Sequence, residues 1–233
     1  MLTVEIWSDV VCPWCAIGKA RFETALQSYP RAEEVQVRWR SFELDPQAPR
    51  SREGDYVGHL ARKYGTTTAQ AQAMIDRMTD TAAAEGLTFD FTIAKPGNTF
   101  DAHRVIHLAA DQGMQDQVKQ RFLQGYHSEG EAIGQHETLQ RLAVQAGLDE
   151  VAVKDVLAGD GYAEAVRADE AQAMEYGISG VPFFVLDGRI GVSGAQPAQM
   201  LLDTLHQAWP VGGSLQVVDA DSTEGDVCGV NGC

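Results

Sequence analysis

A Cys-x-x-Cys pair stands at the seam between a strand and a helix, and that placement narrows the folds open to this chain. Leu2-Thr3-Val4-Glu5-Ile6-Trp7 alternates apolar side chains with others, the period of a strand. Val10 and Val11 lead into Cys12-Pro13-Trp14-Cys15. From Pro13 onward, Ile17, Phe22, Ala25, Leu26 and Tyr29 fall close to one helical face. Val35-Gln36-Val37-Arg38-Trp39-Arg40-Ser41-Phe42 alternates again. Strand, helix and strand over residues 2–42 make a βαβ unit, so the two strands are expected to be parallel.

The motif's position has a chemical meaning. Proline suits the first helical position because its missing N–H would be unbonded there anyway. Cys12 then falls near the N-cap, where free N–H groups and the helix dipole favour an anion. The thiolate is the attacking form of cysteine. Cys15 lies one turn further in, better shielded. The expected roles are Cys12 as nucleophile and Cys15 as resolving thiol, with Pro13 and Trp14 shaping the turn between them. A structural zinc half-site is the competing reading, but no second Cys-x-x-Cys or Cys/His cluster completes four ligands. No metal and no cofactor are expected.

Later segments change character. Asp45-Pro46 and Ala48-Pro49 break the pattern, and residues from about 52 to 160 read as mostly helical. Pro96-Gly97-Asn98 is a break, with Asn98 placed to cap the next helix. Val181-Pro182-Phe183-Phe184-Val185-Leu186 reads as a strand, Asp187-Gly188 as a hairpin turn and Arg189 to Ser193 as its partner. Residues 197–209 suit a final amphipathic helix. The expected division is a sheet domain from 1–50 and 162–210, a helical insertion at 51–161, and an acidic, glycine-rich, mobile tail at 211–233. The net charge of −15 argues against nucleic acid, no apolar run is long enough for a membrane span, and no secretory signal is visible. A cytoplasmic protein is expected, unless a leader has been removed.

Three segments together resemble the DsbA-like oxidoreductases, and more closely their FrnE-type branch. They are Ser8-Asp9-Val10-Val11-Cys12-Pro13-Trp14-Cys15, Asn98-Thr99-Phe100-Asp101-Ala102-His103-Arg104 and Gly180-Val181-Pro182-Phe183-Phe184-Val185. The resemblance spans residues 2–209 and implies an α/β thioredoxin fold with a large inserted helical domain. It implies thiol–disulfide exchange on protein substrates, with glutathione or thioredoxin as a recycling partner. It also implies a cis Val181–Pro182 bond facing the cysteines. Proline there keeps metals off the thiolates, and the Val181 backbone is placed to pair with an extended substrate. Trp14 stands where the most oxidising members carry histidine. The expected potential therefore lies between roughly −270 mV for thioredoxin and roughly −120 mV for DsbA. Glu5 is the candidate for the buried carboxyl that takes the second cysteine's proton, although its spacing to Cys12 is one residue longer than in the DsbA pattern. His103 and His107, at i, i+4, are expected to be structural.

Cys228-Gly229-Val230-Asn231-Gly232-Cys233 places two more cysteines in the tail. Glycine and Asn-Gly supply the reversal that a short disulfide loop needs. Cys228 and Cys233 are expected to form a second redox pair, as in some FrnE-type members. Two other functions stay open. One is a glutathione-dependent kappa-type transferase or isomerase, which needs only one nucleophile, so Cys15 argues against it. The other is a thiol chaperone or a zinc module joining the two cysteine pairs.

Overall fold

The structure is a computed structural model that describes residues 1–52, 55–209, 216–218 and 227–229. The N-terminal unit follows the sequence pattern. Strand β1 (Leu2–Ser8), helix α1 (Pro13–Ser28) and strand β2 (Val35–Ser41) form the βαβ unit, and β1 and β2 run parallel from Leu2↔Val35 to Ser8↔Ser41. Seven helices come next: α2 (Tyr56–Tyr64), α3 (Thr68–Ala84), α4 (Phe100–Asp111), α5 (Gln115–Glu129), α6 (His136–Gln145), α7 (Glu150–Ala158) and α8 (Ala163–Glu175). Local chemistry sets their ends. Thr67 and Gln70 form a reciprocal capping box at the start of α3, and Gly65 closes α2 in the left-handed conformation. Helix α4 starts one residue later than expected. Thr99 is the N-cap of α4, while Asn98 Oδ1 accepts the Phe100 N–H at 3.0 Å.

The expected strand at 181–186 is split. Pro182 has no N–H for a ladder. The chain therefore gives β3 (Gly180–Val181) to one sheet and β4 (Phe183–Leu186) to another. Strand β4 runs antiparallel to β1 and to β5 (Ile190–Ser193). Asp187 and Gly188, both at positive φ, turn the hairpin, and Arg189 N–H donates to the Leu186 carbonyl at 3.0 Å. Helix α9 (Ala198–Ala208) follows and packs on α1.

Two short pieces of the expected tail are described, and both are strands. Residues 216–218 form β6, parallel to β5, which completes the order β2-β1-β4-β5-β6. Residues 228–229 form β7, antiparallel to β3, with Gly180 opposite Gly229 and Val181 opposite Cys228. Composition marked the acidic residues but not the backbone edges far upstream that these short strands complete.

Two apolar clusters flank the sheet. One gathers Leu2, Val4 and Ile6 with α1, α4–α7 and α9. The other gathers Trp7, Cys12, Trp14, Cys15, Val181 and Cys228 with α2 and α3. The cysteine motif therefore lies in the cluster where the helical segment meets the sheet. Among the described residues no helix is long and apolar enough to cross a membrane.

Candidate active site

Cys12 is the N-cap of α1, with extended backbone (φ −86°, ψ 116°), and Pro13 holds the first helical position. Its N–H donates to the Asp9 carbonyl at 3.3 Å, and the Cys15 N–H donates to the Cys12 carbonyl at 3.1 Å. Both cysteines are free and buried. The Val181–Pro182 bond is cis, and Cys12 Sγ lies 3.7 Å from the Val181 carbonyl oxygen. Pro182 comes this close because residue 18 is glycine; a Cβ there would meet Pro182 Cγ at 2.9 Å. Trp14 is buried in the same cluster.

Four buried polar groups surround the pair. Asp9 Oδ2 accepts the Leu44 N–H at 2.8 Å, and Oδ1 faces His103 Nε2 at 3.5 Å. Burial would raise this carboxyl, but His103, the Leu44 N–H and Lys119 outweigh it and hold Asp9 below the usual carboxylate range. Lys119 is buried, with Nζ 3.4 Å from the Ser8 carbonyl oxygen and 5.6 Å from the centre of the Trp39 ring. Burial pushes its ammonium down to about 8, against the pull of Cys15, Asp9 and Cys12. Burial, reinforced by Cys12, pushes the Cys15 thiol well above the ordinary range. His127 stacks on Phe89 at 4.7 Å, and burial lowers its imidazole to about 3, slightly offset by the Cys12 backbone and Asp9.

A model of the DSBA-like thioredoxin domain matches residues 3–206. The chain belongs to the DSBA-like thioredoxin family. It is similar to the probable DsbA oxidoreductase SCO1869 from Streptomyces coelicolor. The two are 44% identical with a TM-score of 0.87, over 100% of this chain and 98% of that one. It is 29% identical to the protein YwbO of Bacillus subtilis (strain 168), over 78% of this chain and 86% of that one. The cytosolic disulfide reductase DsbM from Pseudomonas aeruginosa, solved with GSH, shares the fold. It is 15% identical at a TM-score of 0.59, over 90% of this chain and all of that one.

Within this DSBA-like framework the other expected residues fall unevenly. Val181 and Pro182 meet Cys12 as expected. Glu5 does not join the thiols. It pairs with Arg40, whose Nε donates to Glu5 Oε1 at 2.8 Å and whose Nη1 reaches Asp169 at 2.8 Å. A guanidinium on the neighbouring strand thus claims the glutamate, and the carboxyl beside the cysteines is Asp9, at the end of the β1 turn. His103 faces Asp9, whereas His107 Nε2 contacts Asp169 Oδ2 at 3.0 Å, so the two rings serve different carboxylates. Among the described residues no group of three or more His, Cys, Asp or Glu side chains could hold a metal. Cys228 is buried and disulfide-bonded, and Cys233 lies outside the described residues.

Lys119 and His127 escaped the sequence reading. Both lie on the buried face of α5 that includes Val118, Phe122, Leu123 and Tyr126. A lysine and a histidine set into an apolar helical stripe were the available signal.

Proposed function

We propose that this protein is a thiol–disulfide oxidoreductase of the FrnE type, acting on protein thiols and disulfides with Cys12 as nucleophile. The observation that carries the proposal is the Cys12 thiol at a helix N-cap, 3.7 Å from the carbonyl of a cis-proline dipeptide. In the reducing direction the Cys12 thiolate attacks one sulfur of a substrate disulfide. A Cys12–substrate disulfide forms, the substrate S–S bond breaks, and one substrate thiolate leaves. Cys15 then loses its proton and attacks Cys12 Sγ, closing Cys12–Cys15 and releasing the second thiolate. The pair loses two electrons and the substrate gains them; oxidation of substrate thiols is the reverse.

Burial makes ionisation of Cys15 the difficult step, and Lys119, lowered by burial to about 8 and within the charge field of Cys15, is suited to take that proton. We assign Lys119 the transfer of the Cys15 proton, and Asp9 the role of holding Lys119 in place electrostatically. Pro13 and Trp14 shape the turn, and Val181 presents its backbone to an extended substrate. The tail bears on this same edge. Strand β7 sets Cys228 opposite Val181, the position a substrate strand would take. Cys228 and Cys233 form the second redox pair in this proposal, exchanging electrons with Cys12–Cys15. A zinc module is less favoured, because Cys228 is already in a disulfide. Glutathione or thioredoxin resets the system in the cytoplasm, the compartment assigned to DsbM, the fold neighbour solved with GSH.

The test is redox equilibration of the intact protein in glutathione buffers, with thiol trapping and mass spectrometry to locate each disulfide. A reversible Cys12–Cys15 transition between roughly −270 and −120 mV is expected. A pair that stays reduced throughout would overturn the assignment. Cys15→Ser should accumulate a mixed disulfide on Cys12, and Cys12→Ser should trap none.

A further inference from the structure

The segment that leaves β2 turns a glutamate inward. Ser41, Phe42, Glu43 and Leu44 are all buried, and the Glu43 side chain has no exposed surface. A buried carboxylate needs partners. Glu43 Oε2 accepts from Arg167 Nη1 of α8 at 2.7 Å, and Oε1 accepts from Asn98 Nδ2 at 3.3 Å. Each partner is itself held. The Arg167 guanidinium lies 4.3 Å from the centre of the Phe100 ring. Asn98 Oδ1 accepts the Phe100 N–H, and its Nδ2 also reaches the Pro46 carbonyl at 3.4 Å. Glu43 therefore ties the end of β2 to the start of α4 and to α8.

This junction is short of positive charge. The same Arg167 Nη1 donates to Glu170 Oε2 at 2.6 Å, so one guanidinium serves two carboxylates. Glu170 Oε1 is buried without a hydrogen bond among the described residues. Asp9, in the turn before the redox motif, adds its own negative charge to the field at Glu43. Burial, with Glu170 and Asp9, outweighs Arg167 and pushes the Glu43 carboxyl up to about 7. One step along the chain leads to the thiols. The peptide joining Glu43 to Leu44 supplies the N–H that Asp9 Oδ2 accepts at 2.8 Å. The charge of Asp9 acts in turn on Lys119, which also feels Cys15. A change at Glu43 thus reaches Asp9 by two routes, a shared peptide and a mutual charge interaction.

We propose that Glu43 is a positioning residue for the Cys12–Cys15 pair: held by Arg167 and Asn98, its carboxylate keeps the Leu44 N–H on Asp9, and Asp9 keeps Lys119 where it takes the Cys15 proton. This rests on the oxidoreductase reading above. Proton uptake by Glu43 removes the charge that Arg167 holds. Arg167 then keeps Glu170 as its partner, the segment after β2 loosens, and Asp9 loses its fixed donor. Resolution of a mixed disulfide therefore needs two groups without their protons, Lys119 and Glu43.

The test follows that resolution in the full-length protein. The Cys12 mixed disulfide with 5-thio-2-nitrobenzoate is formed at acid pH and jumped to a series of higher values. Cys15 loses its proton and attacks Cys12 Sγ, the Cys12–Cys15 bond closes, and the coloured arylthiolate leaves. With a single base the rate changes by at most ~tenfold per pH unit; with two groups it changes by more. The wild type should exceed ~tenfold between pH 6 and pH 7, and Glu43→Gln should stay within it. Glu170→Gln removes the competing carboxylate. Its steep region should shift to lower pH, with several-fold faster release at pH 6 and an unchanged rate at pH 9. Because the Glu170 side chain is partly exposed, this variant carries the test where Glu43→Gln does not fold. Arg167→Gln should shift the steep region to higher pH, and Arg167→Lys should restore it. A wild-type slope within ~tenfold per unit, or a Glu43→Gln profile that is slower throughout but just as steep, would overturn the role of Glu43 and leave the oxidoreductase intact. A wild-type protein that releases no arylthiolate at any pH would overturn both.

Discussion

Replacing Gly180 with alanine tests what the tail does at the active site. A Cβ at position 180 would lie 2.7 Å from the Cys228 carbonyl oxygen and 3.1 Å from Gly229 Cα. Both are backbone atoms, so β7 must move as a unit rather than adjust a side chain. Gly180 itself is not at positive φ, so alanine adds no backbone strain of its own. Strand β7 pairs through only two residues. Each backbone hydrogen bond contributes a net ~0.5–1.5 kcal/mol, so losing the pairing weakens docking by about 1–3 kcal/mol. At 1.4 kcal/mol per tenfold, the undocked fraction rises roughly 5- to 100-fold. Cys12 is fully buried, in one apolar cluster with Cys228 and Val181. If β7 guards the thiol, iodoacetamide must wait for the tail to leave. Alkylation of reduced Cys12, followed by mass spectrometry, should therefore accelerate at least fivefold in Gly180→Ala. Peptide turnover is the wrong assay, because a substrate strand would meet the same new methyl. An unchanged Cys12 alkylation rate in a variant of normal thermal stability would refute the reasoning. Burial of Cys12 would then belong to the helical segment alone.

Three further outcomes are expected. In the wild type the resolving step should quicken with pH and level off near 8, where Lys119 becomes a neutral base. Lys119→Met should lose that plateau, which single-turnover kinetics from a trapped Cys12 mixed disulfide would reveal. His127 is neutral in the native state down to about pH 3, whereas the unfolded imidazole protonates near 6.5. The unfolded chain then binds the extra proton, so stability should fall as pH drops through that window, by about 1.4 kcal/mol per unit. His127→Phe keeps an aromatic ring in place and removes the protonation site, and should flatten urea midpoints measured between pH 7 and pH 4. Glu5→Gln should leave the Cys12–Cys15 potential unmoved while lowering the thermal midpoint by a few degrees, because its carboxylate serves Arg40.

What the sequence disclosed depended on how local each cause was. The β1–α1–β2 unit could be read because alternation, the Pro13 helix start and the Cys-x-x-Cys spacing all act within a few residues. The hairpin at Asp187-Gly188 was legible for the same reason: its turn needs two positive φ angles, and those residues supply them. The split at Pro182 was harder. Its ring forbids a ladder bond, but only the tertiary placement of β7 gives the two preceding residues a second sheet to join.

The charged surroundings of the thiols were harder to read for a related reason. Glu5 looked suitable by its strand position, yet Arg40 on the adjacent strand donates to it at 2.8 Å, a contact that the strand pattern did not announce. Asp9 was in plain view beside the motif, but its value comes from His103 on α4 and Lys119 on α5, both distant in sequence. A lysine at about 8 and a thiol pushed well above the ordinary range are consequences of one buried cluster, and neither is a property of its residue type. The motif therefore marks where the two thiols lie, while the ionisation of Cys15 depends on side chains that only the fold brings together. Chains with the same four-residue motif should accordingly differ in resolving rate according to what occupies positions equivalent to Asp9 and Lys119, even where Pro13 and Trp14 are unchanged.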